Sequence, residues 1–106
     1  MVRIVFCASL AALLWMNFSM AAEHAVLQKN KLFSSAEITV KPGDTIVFKN
    51  DDDVAHNVFS SSAGFQFNLK MQPPGSSASF TFENEGKAEV RCVMHPTMKL
   101  MVDVKK

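Results

Sequence analysis

A chain of 106 residues with 11 basic and 10 acidic side chains is one small domain with almost no net charge. That balance leaves no footprint for nucleic acid or an anionic membrane surface. The length excludes a large multi-site enzyme and leaves a compact carrier or binding module, which buries about 60% of its unfolded surface.

The first 21 residues differ from the rest: 17 are apolar and Arg3 is the only charge. Met1-Val2-Arg3 is a positive leader start, Ile4 to Trp15 an apolar centre, and Ser19-Met20-Ala21 a small-x-small cleavage signal. Residues 1–21 are therefore expected to be a secretory signal peptide cut before Ala22, with a single domain over 22–106. A cut before Glu23 would put Met20 where a small residue is preferred. Asn17 interrupts the apolar run, which falls short of the roughly 20 residues a spanning helix needs. No membrane insertion is expected after processing. Without a twin arginine, export follows the general Sec-type route, and a periplasmic location is expected. Cys7 leaves with the leader, so the mature chain keeps one thiol, Cys92, in an oxidising compartment. A buried apolar cysteine and a thiolate held by a metal both explain it.

The mature chain alternates rather than showing helical periodicity. Strands are expected at 26–33, 36–41, 45–50, 56–60, 65–69, 77–83, 87–92 and 99–104, seven or eight in all. Ile38/Val40, Phe65/Phe67/Leu69, Phe80/Phe82, Ala88/Val90/Cys92 and Leu100/Val102/Val104 carry the period of two. Such patterning marks half-buried antiparallel strands. Turn signals separate them at Pro42-Gly43-Asp44, Asn50 to Asp53, Ser60 to Gly64, Pro73-Pro74-Gly75 and Asn84-Glu85-Gly86. The expected fold is all-β, a two-sheet Greek-key β-sandwich. In this phase Cys92 points inward at the end of a strand, and Arg91 points to solvent.

The loop after that strand reads Cys92-Val93-Met94-His95-Pro96-Thr97-Met98, placing thiol, imidazole and thioether three residues apart. His56 opens an earlier strand and supplies a second imidazole. Two His, one Cys and a weak axial Met form the ligand set of an electron-transfer copper site. Soft sulfur donors suit Cu(I), and imidazoles suit both oxidation states.

With these residues in view, the chain resembles the cupredoxin (small blue copper protein) family, in its plastocyanin and amicyanin branch. The resemblance runs from about Leu32 to Val104 through the stretch Ile38 to Asn50, His56-Asn57-Val58, Gly86 and the Cys92 loop. The Cys-x-x-His-x-x-Met spacing and the His-Pro pair match the short amicyanin loop. The resemblance implies one type 1 copper ion held by His56, Cys92, His95 and Met98, and the role of a monomeric electron carrier, not an enzyme. It further implies electron transfer through the edge of His95, with Met94, Pro96, Pro73 and Pro74 as docking surface. The implied partners are a c-type cytochrome or a periplasmic dehydrogenase. The family often has Thr or Ser after the cysteine, bonded to the Asn that follows the first His. Here Val93 stands there, so the Asn57 side chain lacks that partner, while its backbone N–H is still expected to be able to reach the Cys92 sulfur.

Other features read more plainly. Met101 is in phase with Asp103 and points outward. Asp51-Asp52-Asp53 reads as a solvated acidic turn. Lys105-Lys106 is a tail, and the phenylalanines of the alternating runs are core. A cut before Ala22 would create an Ala-Glu-His terminus whose amine, amides and imidazole suit Cu(II) in a square plane. Two rival functions remain. A copper chaperone or storage protein would use Met71, Met94, Met98 and Met101 but usually carries denser methionine repeats. A copper enzyme needs a second centre with more histidines than the three present.

Overall fold

The period-two pattern becomes nine β-strands in the computed structural model, which describes residues 20–106. They are β1 (Glu23–Lys29), β2 (Leu32–Phe33), β3 (Glu37–Val40), β4 (Asp44–Asn50), β5 (His56–Ser60), β6 (Phe67–Gln72), β7 (Ser77–Phe82), β8 (Gly86–Arg91) and β9 (Lys99–Val104). One sheet has the order β2-β1-β4-β7 and the other β3-β9-β8-β5-β6. The two-sheet sandwich is as expected. Of the expected leader, residues 1–19 lie outside the described residues.

The strands differ from expectation in three places, each for a local reason. The expected strand 26–33 is two strands, because Asn30 and Lys31 take φ of 53° and 58° and fold the chain back. Such positive φ angles at both central residues suit the right-handed twist of a two-residue hairpin. Pairing is mixed rather than wholly antiparallel. β1 runs parallel to β4 with Val26 opposite Phe48, and β3 parallel to β9 with Ile38 opposite Val102. Lastly, β6 starts at Phe67 instead of residue 65. Phe65 is buried outside the ladder, its ring against Gly86. Gly86 has φ of 142°, and a Cβ there would lie 2.9 Å from the Phe65 ring. Only glycine meets both demands.

Alternation sends Val26, Ile46, Phe48, Val58, Ala88, Val90, Leu100 and Val102 into one core between the sheets. Phe82 is fully buried there, with ring centroids of Phe80, Phe67 and Phe65 at 4.9, 6.0 and 6.1 Å. Truncating Phe82 to Ala is expected to cost about 3–5 kcal/mol, measured by urea unfolding. A loss below about 1 kcal/mol would show that the aromatic cluster does not anchor the core. Two buried amides also cross between the sheets, Gln28 Nε2 donating to Gln72 Oε1 at 3.1 Å.

The topology gathers one rim. β5 is antiparallel to β8, with Phe59 opposite Arg91 and Ser60 opposite Val90. The start of β5 therefore lies beside the end of β8. Residues 92–98 then connect β8 to β9 across that same end.

Candidate metal centre

Each of the four residues singled out by the sequence falls at this rim, at a strand end or in the connecting loop. His56 is the first residue of β5 and is fully buried. Cys92 follows β8 as a free thiol, 2% exposed, facing inward in phase with Ala88 and Val90. His95 is half-buried in the loop, and Met98 is fully buried just before β9. One ligand atom each from His56, Cys92 and His95 lies within 4.8 Å of the others. The two imidazoles meet Nδ1 to Nδ1 at 3.1 Å, and the Cys92 sulfur is 3.6 Å from His95 Nδ1.

Hydrogen bonds behind these groups fix which atoms face inward. His56 Nε2 lies 2.8 Å from the Asp52 carboxylate. A carboxylate there accepts the Nε2 proton, which leaves the Nδ1 lone pair turned into the site. Asp52 is held by the Lys31 backbone N–H at 2.9 Å. The Lys31 N–H first, and then His56, hold its carboxyl well below the usual carboxylate range, so it is ionised at neutral pH. The acidic turn is thus not merely solvated, since the Asp52 side chain is only 8% exposed. The missed signal was spacing: Asp52 precedes His56 by four residues, with one turn between them.

The sulfur and the loop have their own supports. The backbone N–H of Asn57 lies 3.4 Å from Cys92 Sγ, as the sequence suggested. The Asn57 side chain also has partners despite the missing hydroxyl. Its Oδ1 accepts the Val93 backbone N–H at 3.4 Å, and its Nδ2 donates to Asn68 Oδ1 at 2.9 Å. Asn68 Oδ1 also accepts the Lys70 N–H at 2.8 Å. This anchor sits where the β5–β6 register shifts and Lys70 takes φ of 64°. Asn68 had no sequence signal, because its role depends on that irregularity. At the other end of the loop the Met98 N–H donates to the His95 carbonyl at 2.9 Å, closing a tight turn.

This donor set fits copper: one buried thiol, two imidazole nitrogens facing each other, and a buried thioether on the same short loop. Met101 does not join it, lying half-buried in β9 between the fully buried Leu100 and Val102. Around His95, Val93 and Met94 are exposed apolar residues.

A model of copper-binding proteins of the plastocyanin/azurin family matches residues 20–105. The methylamine utilization protein MauL of Methylorubrum extorquens is 31% identical over 89 residues, covering 83% of this chain and 73% of that protein. MauL of Methylophilus methylotrophus is 27% identical over 82 residues and 74% of this chain, which spans about half (47%) of that relative. A solved reduced-state structure of an amicyanin variant superposes with a TM-score of 0.71 at 28% identity, covering 78% of this chain and 82% of that one.

Proposed function

Because the chain belongs to the plastocyanin/azurin family of copper-binding proteins, we propose that it is an exported, periplasmic electron carrier that holds one copper through His56, Cys92, His95 and Met98. The observation that carries this reading is the convergence of the His56, Cys92 and His95 ligand atoms at one rim of the sandwich. Copper, when bound, supplies the one-electron step between Cu(II) and Cu(I), which none of these side chains supplies.

The remaining work belongs to the chain. Cys92 gives a soft anionic donor, and the Asn57 N–H near its sulfur withdraws electron density from it. Asp52 keeps His56 in one tautomer and one orientation. The ligands come from β5 and one clamped loop, so the pocket is set by the sandwich rather than by the ion. A fixed pocket that both oxidation states accept keeps rearrangement small when an electron arrives or leaves. Of the four residues, His56, Cys92 and Met98 are buried, and His95 alone is half-exposed. The edge of its ring is the route for electrons to a partner. The exposed Val93 and Met94 beside it give a small apolar docking face, suited to a weak and quickly reversed encounter. A c-type cytochrome or a periplasmic dehydrogenase is the partner class, in keeping with relatives named for methylamine utilization.

The test is kinetic. Mixed with a reduced c-type cytochrome, the Cu(II) protein should oxidise it in a single rapid phase, becoming Cu(I), and be reoxidised by added ferricyanide without losing metal. Copper that passes to a chelator while the cytochrome stays reduced would assign the chain to copper delivery instead.

A further inference from the structure

At one end of the sandwich, where the inner strands β1 and β4 begin, the chain carries a polar cluster that copper binding does not use. Among the described residues Ala22 is the first laid on the sheet, its carbonyl accepting the Thr45 N–H at 3.0 Å. Its nitrogen donates to Asp44 Oδ1 at 2.8 Å. The other Asp44 oxygen lies 2.9 Å from His24 Nε2 and accepts the Lys41 N–H at 2.9 Å. Asp44 is only 4% exposed. Met20, two residues before Ala22, is 86% exposed.

In an uncut chain the Ala22 nitrogen is a neutral peptide N–H. Cleavage of the Ala21–Ala22 bond by water would release the Ala21 carboxylate and leave an ammonium on Ala22. A buried carboxylate already within 2.8 Å of that nitrogen would then hold a charged donor, and such hydrogen bonds are about twice as strong as neutral ones. We propose that Asp44 is the receptor for the processed N-terminus, and that cleavage before Ala22 locks β1 onto β4 by a buried ammonium–carboxylate contact. The proposal rests on the cut before Ala22 and not on the copper assignment; only its copper count rests on the proposed function.

Two consequences follow. The hollow around Asp44 also receives Lys41, Lys105, Lys106 and His24, and Asp44 is the one acid among its lining residues. The lysines oppose an added positive charge, and Asp44 outweighs them by contact. His24 first, then the Lys41 and Ala22 N–H groups, lower the Asp44 pKa from 3.8 to about 2. Its contribution to stability is therefore complete above 3.8 and lost as the pH falls toward about 2. An α-ammonium held by Asp44 titrates above its ordinary ~7.7–8.0. Its contribution is complete below that range and lost as the pH rises through the higher value. Secondly, the free Ala-Glu-His terminus suits Cu(II) in a square plane, yet Asp44 holds its terminal nitrogen and the β1–β4 pairing holds Glu23 and His24 extended. The folded mature protein should therefore take up one Cu(II), not two.

The experiment uses protein exported with its own leader and isolated after processing. Mass spectrometry should find Ala22 as the first residue. Nuclear magnetic resonance of the α-amine should show it titrating above ~8. Acetylating that amine should lower the thermal midpoint in wild type but not further in Asp44→Asn, as expected when two groups share one contact. Asp44→Ala should bind a second Cu(II). A mature chain beginning elsewhere, or an α-amine titrating at ~7.7–8.0 with a midpoint indifferent to acetylation, overturns the proposal. The amine titration is read in wild type, so a variant that fails to fold leaves the test intact.

Discussion

Replacing Cys92 by Ser will abolish the intense visible thiolate-to-copper charge-transfer band of the Cu(II) protein. The band requires a sulfur anion bonded to the metal, and a serine hydroxyl does not ionise at neutral pH. Cys92 is the only cysteine in residues 22–106, so no other thiol of the sandwich can take its place. The change is nearly isosteric, and a hydroxyl at that position still accepts the Asn57 N–H that now faces sulfur at 3.4 Å. The sandwich should therefore survive, with far-ultraviolet circular dichroism unchanged. Visible absorption and paramagnetic resonance on the same sample separate loss of the site from loss of the fold. A band that persists in a folded Cys92→Ser protein would remove Cys92 from the ligand set and the electron-carrier reading with it.

How much of this was legible in the sequence depends on how far apart the cooperating residues lie. The inward phase of Cys92 follows from Ala88 and Val90 in the same strand, since alternation is local. The loop residues His95 and Met98 are within seven positions of Cys92, so their association is also local. Parallel pairing of β1 with β4 and of β3 with β9 was not legible, because alternation sets which face is buried but not which strand lies alongside. The hairpin at Asn30-Lys31 was missed because lysine gives no signal for positive φ. Asn57 shows the same limit from another side. The sequence revealed that the usual hydroxyl was gone at Val93. It could not reveal that the Val93 backbone N–H and Asn68 would take over its bonds, since Asn68 is brought in by the β5–β6 irregularity.

Asp52 extends that lesson to the chemistry of the site and carries the second large effect. Asp52→Ala is expected to weaken Cu(II) binding by about 10–100-fold, the usual range for losing the carboxylate that orients a ligating histidine. The reason is geometric before it is electrostatic. His56 is fully buried, and its Nε2 has the Asp52 carboxylate at 2.8 Å. Without that acceptor the Nε2 proton is buried unpaired, and the tautomer that turns the Nδ1 lone pair inward loses its advantage. Asp52→Asn separates the two contributions, because its Oδ1 still accepts the Nε2 proton while the charge is gone. Affinity should then fall less than in the Ala variant. The reduction potential should rise in both, since a nearby negative charge favours Cu(II) over Cu(I). The Lys31 N–H and His56 keep the carboxyl ionised at neutral pH, so the rise should appear under ordinary assay conditions. Competition with a Cu(II) chelator reads the affinity, and voltammetry reads the potential. If both variants match wild type in affinity and potential, Asp52 serves only to hold the β1–β2 turn through Lys31, and His56 is oriented by its packing alone.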